Sequence, residues 1–232
     1  MSNQQKPVSP ATLAVMLLIV FGIPLLPLLI SQQWDWWEAW VYATICILGF
    51  AASRLLAARH HPDLLRERAR FLQQEDAKSW DKVLSPLVGV GSGLIPLIAG
   101  LDALGGRPLA FSPLAEIVAL AVILAGYALG SYAWIENRFF SGMVRIQTER
   151  GHRVVSSGPY GWVRHPGYMG ALLSYLGTPV FLNSWWAFLP TLFIAVVLVV
   201  RTSLEDRMLQ DELEGYRNYA ERVRYRLLPG IW

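Results

Sequence analysis

ATLAVMLLIVFGIPLLPLLI, residues 11–30, runs for twenty positions without a charge. At ~1.5 Å of rise per residue, a helix of that length crosses the roughly 30 Å hydrocarbon core of a bilayer. Gly22, Pro24 and Pro27 interrupt it, so the first span is expected to be kinked. Lys6 precedes it and no small-residue cleavage site follows Ile30; a retained span rather than a removed leader is the expectation.

Further apolar runs follow. Residues 38–57, 83–101 and 114–135 each have spanning length, and 168–182 and 185–200 are separated only by a short polar turn at Asn183-Ser184. That spacing predicts a tight helical hairpin. Trp34, Trp36, Trp37 and Trp40 cluster between the first two runs, where indoles suit the membrane–water boundary. Pro113 is placed to start the fourth span.

Composition agrees. Of 232 residues, 54% are hydrophobic and only 16% charged, with a mean hydropathy of +0.36. These values exclude an ordinary soluble domain. The expectation is an all-α, polytopic membrane helix bundle of about five to six spans forming a single domain over 1–232. Between the runs, 59–82 mixes charges with Leu64, Leu65, Phe71 and Leu72 and predicts a helix lying in the interface. Within it, Ser79 or Asp81 is placed to cap the third span. The tail, 201–226, predicts a C-terminal amphipathic helix with Leu204, Met208, Leu209, Leu213 and Tyr216 on one face.

Six spans put Lys6 and the basic residues of 54–82, 138–164 and 201–226 on one side, with only Arg107 opposite. The positive-inside rule makes that side the cytoplasm, so an integral multi-pass protein of the cell inner membrane is expected. The net charge of +3 reflects this flanking and not nucleic-acid binding. The lone Cys46 allows no internal disulfide and reads as a buried small apolar side chain. His60 and His61 lack a neighbouring acid and read as surface residues, and no metal site is expected. No histidine lies within a span to ligate haem, and no P-loop or Rossmann glycine pattern occurs.

The densest chemistry lies at 152–170, HRVVSSGPYGWVRHPGYMG. Gly158-Pro159-Tyr160-Gly161 and Pro166-Gly167 are turn signals that hold His165 between two constraints. Arg164 adds a fork of donors suited to carboxylate or phosphate. The residues alone leave two readings open: a ligand pocket, or a basic loop resting on anionic headgroups. Arg201 and Glu205 share a helical face where the last apolar run ends, and charges at such depth are costly.

The run 147–170, QTERGHRVVSSGPYGWVRHPGYMG, together with R-x-x-x-E-D-x-x-L at 201–209 and Y-x-x-Y at 216–219, resembles the isoprenylcysteine carboxyl methyltransferase family. That family shares its pattern with membrane phospholipid methyltransferases. The resemblance covers about the last 90 residues and implies a catalytic region over about 140–232. It implies S-adenosylmethionine bound against Gln147, His152, Arg153, Val154, Val155, Tyr160, His165, Pro166, Gly167 and Tyr168. Arg201 and Glu205 would then face a lipophilic acceptor entering from the bilayer, most simply an isoprenylcysteine-like carboxylate. A departure is Asp206, where the family often has a second glutamate. A phospholipid amine or small thiol acceptor is the alternative, and a small transporter or receptor a more distant one.

Overall fold

The computed structural model describes residues 17–60, 76–106 and 111–232. Lys6, residues 11–16, the interfacial stretch 61–75 with His61, and Arg107 lie outside the described residues. Within them every regular element is helical, and the chain is a polytopic helical bundle.

A π turn, Leu18–Gly22, leads into α1, Ile23–Ser31. Pro27 inside α1 has no N–H to donate, and its carbonyl accepts a hydrogen bond from the Ser31 hydroxyl at 2.7 Å. Gln32 closes α1 in the left-handed region at φ 56°. Then come α2 (Trp37–His60), α3 (Asp81–Asp102), α4 (Pro113–Glu136), α5 (Pro166–Phe181), α6 (Phe188–Glu212) and α7 (Tyr216–Arg222).

Among the described residues four stretches are long and apolar enough to cross a membrane: α2, α3 with the turn that extends it to Gly105, α4 and α6. The apolar stretch Leu18–Ser31 is shorter. At 16 residues, α5 reaches only ~24 Å. Among the described residues, four helices have full spanning length and two further apolar helices, Leu18–Ser31 and α5, accompany them.

Ser112 caps α4, its hydroxyl accepting from the Ala115 N–H at 3.3 Å, and Pro113 occupies the first turn. The α5–α6 hairpin forms at the expected turn: Asn183 sits at φ 53° and the Ser184 hydroxyl donates to Asp102 at 2.7 Å. This marks the bundle end where α3 finishes. The opposite end collects the polar loop 137–165 and the tail.

Helices α4 and α5 approach most closely. A Cβ at Gly126 would lie 2.5 Å from the Gly170 carbonyl, and one at Gly170 would lie 2.6 Å from the Gly126 carbonyl. Small residues at four-residue spacing allow this contact, because dispersion and not water exclusion holds helices together in lipid.

Three readings change. Trp36 is 2% exposed and belongs to the core, whereas Trp34, Trp37 and Trp40 are exposed. Asp81 is the first residue of α3 and makes no cap; its carboxylate is used elsewhere. The tail is not one amphipathic helix: α6 continues through the boundary to Glu212, breaks at Gly215 (φ 80°), and α7 follows. Cys46 is half-buried and accepts a hydrogen bond from the Tyr127 hydroxyl at 3.1 Å.

Candidate functional site

Beyond α4 the chain turns sharply. The Asn137 carboxamide oxygen accepts from the Phe139 N–H two residues on at 2.9 Å, and its NH2 donates to the Tyr160 hydroxyl at 3.2 Å. Residues 147–152 then form a tight loop in which Gly151 takes φ 63° and the His152 N–H donates to the Gln147 carbonyl at 3.2 Å. A left-handed residue closes the turn, and glycine fits it without a Cβ penalty.

Gln147 is 1% exposed. Its NH2 donates to the Phe139 carbonyl at 2.6 Å and its oxygen accepts from Arg150. The side-chain amide is thus engaged on protein atoms, and Gln147 shapes the wall more than it offers donors. Its backbone N–H donates to His152 Nδ1 at 3.3 Å, which leaves Nε2 as the protonated nitrogen of a neutral ring. The ring packs on Phe139 at 4.7 Å between centroids. Burial first, then the cations Arg145 and Arg150, push the His152 pKa down to about 4.

The 3-10 turn Gly158–Gly161 carries Tyr160 into the wall. Its hydroxyl donates to the Ala133 carbonyl at 3.3 Å, and burial raises its pKa above the ordinary tyrosine range. Gly158 adopts φ 56° directly beneath Tyr132 and Glu136. His165 ends the loop against the chain's last turns: the Arg164 N–H donates to the Tyr225 carbonyl and the His165 N–H to the Arg226 carbonyl, both at 2.9 Å. The His165 ring stacks parallel on Tyr168, with centroids 5.7 Å apart.

Two carboxylates organise the charges. Asp206 is fully buried. Arg164 forks onto it at 2.7 and 2.9 Å, Arg226 donates at 2.8 Å, Gln210 at 2.9 Å and the Tyr216 hydroxyl at 3.1 Å. His165 Nε2 lies 3.5 Å away. Arg164 also donates to the carbonyls of Val223 and Arg224 at 2.8 and 2.9 Å. The fork read as a ligand grip is thereby spent on fastening the loop to α6 and α7.

Asp81, also fully buried, receives Arg201 at 2.7 and 3.0 Å and the Val144 N–H at 2.6 Å. Arg201 donates further to the Gly142 carbonyl at 2.9 Å. Its guanidinium is held by Asp81 across 120 residues of chain and not by Glu205. It sits 5.2 Å from the centroid of the Tyr168 ring. The Tyr168 hydroxyl donates to Glu205 at 2.5 Å. Glu212, on the same helical face, pairs instead with Lys78 at 2.7 Å.

These elements enclose a cavity of about 760 Å³ counted to its open mouth. Gln147, His152, Arg153, Val154, Val155, Tyr160, His165, Gly167, Tyr168 and Glu205 all line it. Two of the sequence-derived residues do not. Pro166 is buried behind the wall as the first residue of α5, and Arg201 is separated from the cavity by its pairing with Asp81. Phe139 and Met143 are lining residues that sequence reasoning did not single out, and Leu209 and Tyr216, read from the sequence only as motif positions on an apolar helical face, line it as well. The Tyr219 hydroxyl donates to the Tyr160 carbonyl at 2.7 Å, so the Y-x-x-Y pair buttresses the same wall. Among the described residues no cluster of three potential metal ligands occurs, and His60 is exposed.

Residues 104–211 match the sequence model of the Isoprenylcysteine carboxyl methyltransferase (ICMT) family. Similar curated proteins include the Delta(14)-sterol reductase of Mus musculus, 27% identical over 131 residues, covering 52% of this chain and 31% of that protein. The Probable protein-S-isoprenylcysteine O-methyltransferase of Oryza sativa subsp. indica is 29% identical over 114 residues, 46% of this chain and 57% of its own. The Protein-S-isoprenylcysteine O-methyltransferase of Schizosaccharomyces pombe is 35% identical over 111 residues, 45% of this chain and 46% of its own. The chain thus spans between 31% and 57% of the length of these relatives.

Proposed function

Residues 104–211 carry the isoprenylcysteine carboxyl methyltransferase pattern, and from that premise we propose that the protein transfers a methyl group from S-adenosylmethionine to a lipophilic acceptor. The acceptor of choice is the carboxylate of an isoprenylcysteine-like lipid. The observation that carries this reading is the cavity itself, which brings the 147–168 motif against Glu205 of α6 at one end of a bundle of membrane-spanning helices.

The donor set fits the group. Glu205 is the carboxylate among the described lining residues, and a positively charged sulfonium favours one anion and several aromatic faces. His152, with its lowered pKa, stays neutral at physiological pH and adds no opposing charge. Phe139, His152 and Tyr160 offer flat surfaces for a nucleoside, and the cavity is bounded by Val154, Val155 and the His165–Tyr168 stack. When bound, S-adenosylmethionine supplies an electrophilic methyl on sulfur. The protein's task is alignment and exclusion of water. Tyr168 holds the Glu205 carboxylate in place with its hydroxyl, and Arg201, fixed by Asp81, supports the Tyr168 ring from behind. Arg201 is accordingly a positioning residue in this scheme, and Glu205 faces the reacting atoms. A carboxylate acceptor needs no base, whereas an amine would call on Glu205 to take its proton.

The cavity opens toward the cytoplasm in this scheme, since the basic flanks share its end of the bundle, and the acceptor arrives laterally from the bilayer. Similarity to a sterol reductase favours a second reading, reduction of a sterol-like lipid, which requires a hydride donor in place of a methyl donor.

Calorimetric titration of the purified protein with S-adenosylmethionine tests the proposal, with a nicotinamide dinucleotide as the parallel titrant. Saturable binding of the first is expected, weakened in Glu205→Gln, which removes the carboxylate set against the sulfonium, with methyl transfer to an S-farnesylcysteine acceptor falling alongside it. Folded protein that binds only the dinucleotide would overturn methyl transfer in favour of reduction.

A further inference from the structure

We propose that the loop and tail beside the cavity form a docking surface for an anionic membrane leaflet, with Trp162 and Ile231 as apolar anchors and Arg222 and Arg224 as the cations. Docking there orders the wall of the cavity that holds Glu205. The surface stands without the methyl-transfer reading; only the use of S-adenosylmethionine as a probe of the cavity rests on it.

The depth of this surface follows from the course of the chain. Helix α6 passes the end of its apolar run at Arg201 and continues to Glu212, about 16 Å farther along its axis. After the break at Gly215 the chain comes back. The Tyr219 hydroxyl reaches the Tyr160 carbonyl at 2.7 Å, Arg226 reaches Asp206 at 2.8 Å, and the Tyr225 carbonyl accepts the Arg164 N–H at 2.9 Å. Arg164 closely precedes Pro166, where the apolar helix α5 begins. The tail is thereby returned to the level at which a helix of the bundle enters the hydrocarbon, which is headgroup depth.

Large apolar side chains are left uncovered at that level. Trp162 is 64% exposed, Ile231 79% and Tyr225 39%. At a membrane boundary indole and phenol rings keep their polar tips among headgroups and their bodies in the acyl region, whereas in water the same exposure is unfavourable. Ile231 is held in a tight turn, in which the Trp232 carbonyl accepts the N–H groups of Arg226, Leu227 and Leu228 at 3.0, 3.0 and 3.1 Å. The cations complete the pattern. Arg217 pairs with Asp211 at 2.9 Å and Arg226 with Asp206. Arg222 and Arg224 are exposed, and among the described residues no carboxylate lies within ion-pair distance of either. Glu221, also exposed, offsets only part of their charge. Apolar anchors beside two such guanidinium groups match a leaflet whose acyl chains take the rings and whose phosphates take the cations. An acidic soluble protein would match the charge and not the depth. Coupling to the cavity runs through the backbone: the Tyr225 and Arg226 carbonyls hold Arg164 and His165, and both of these line it. A lipid that fixes the tail removes motion that a cavity ligand would otherwise have to freeze.

The test compares the full chain in nanodiscs of phosphatidylcholine alone and of phosphatidylcholine with an equal part of phosphatidylglycerol. Amide hydrogen exchange over 219–232 is read in both, and S-adenosylmethionine is titrated into both. Exchange is expected to slow about tenfold in the anionic discs, and S-adenosylmethionine to bind severalfold more tightly there. Both differences should vanish at raised salt and in the Arg222→Gln/Arg224→Gln double variant, while Trp162→Ser speeds exchange in both lipids. Exchange indifferent to the lipid, or a lipid difference that persists in the double variant, overturns the proposal. Should the double variant fail to fold, a wild-type difference that survives raised salt overturns it. Slowed exchange with equal S-adenosylmethionine affinity in the two discs overturns the coupling to the cavity. Slowed exchange with no S-adenosylmethionine binding in either disc sinks the methyl-transfer reading and leaves the docking surface standing.

Discussion

Replacing Asp81 by alanine removes the counter-charge of Arg201 in a place where neither can be solvated: Asp81 is fully buried and Arg201 is 6% exposed. At about 4 Å and an effective dielectric of about 20, two unit charges attract by about 4 kcal/mol. Breaking one side of a buried pair costs about 3–5 kcal/mol, because the surviving charge stays desolvated. The Val144 N–H would also lose its acceptor at 2.6 Å, worth about 1–3 kcal/mol when buried. These terms overlap, and a loss of about 4 kcal/mol is expected for Asp81→Ala. The informative assay is a double-mutant cycle with Arg201→Met, read by equilibrium unfolding in mixed micelles. If the pair is coupled as described, the double variant is more stable than the sum of single losses implies, by at least about 2 kcal/mol. Methyl transfer should fall in both single variants, since Tyr168 loses its support. Additive losses, or an Asp81→Ala cost below about 1 kcal/mol, would refute the assignment of Asp81 as the anchor of Arg201.

Other perturbations have contrasting expectations. Gly170→Ala drives a Cβ into α4 backbone, 2.6 Å from the Gly126 carbonyl and 2.7 Å from the Gly130 nitrogen, and should cost about 1–3 kcal/mol; Gly130→Ala meets nothing within 4 Å and should leave unfolding unchanged. Tyr168→Phe deletes the donor to Glu205, and at about 1.5–3 kcal/mol for a hydrogen bond to a charged group kcat/KM should drop about ten- to a hundredfold. The His152 pKa falls from 6.5 to about 4 on folding, so between these values the unfolded chain binds the extra proton. Its contribution to stability is full above pH 6.5 and is lost as pH falls toward 4, by about 1–2 kcal/mol after allowance for partial exposure. His152→Asn should flatten that part of the stability profile.

The helices of the bundle were legible because lipid imposes a simple rule: apolar runs of spanning length at 38–57, 83–101 and 114–135 became α2, α3 and α4, and Pro113 started α4 as expected. The hairpin at Asn183-Ser184 was legible for the same reason. Trp36 was not, since a tryptophan beside a span reads the same whether it faces headgroups or the core. The 147–168 motif announced a shaped site through its glycines and prolines, but not which side chains would face inward. Pro166 fell behind the wall because the first turn of a helix turns its ring away from the loop. Arg201 showed only its local neighbour Glu205, four residues on. Its actual partner is 120 residues distant, and a cross-helix pair of this kind leaves no periodicity to read. Arg164 likewise promised a ligand grip, and only the folded chain reveals that Asp206 already fills it.

The five-donor arrangement around Asp206 has a consequence for biosynthesis. Arg164 is made first, Asp206 next, and Tyr216 and Arg226 last, so the carboxylate enters the assembly before half its donors exist. Translation must proceed past Arg226, and that residue must clear the ribosomal tunnel, before the carbonyls of Tyr225 and Arg226 can receive the N–H groups of Arg164 and His165. The spanning helices can be in the bilayer by then. The pocket is consequently completed only once Arg226 has emerged, and a nascent chain stalled before that point would be inserted but inert.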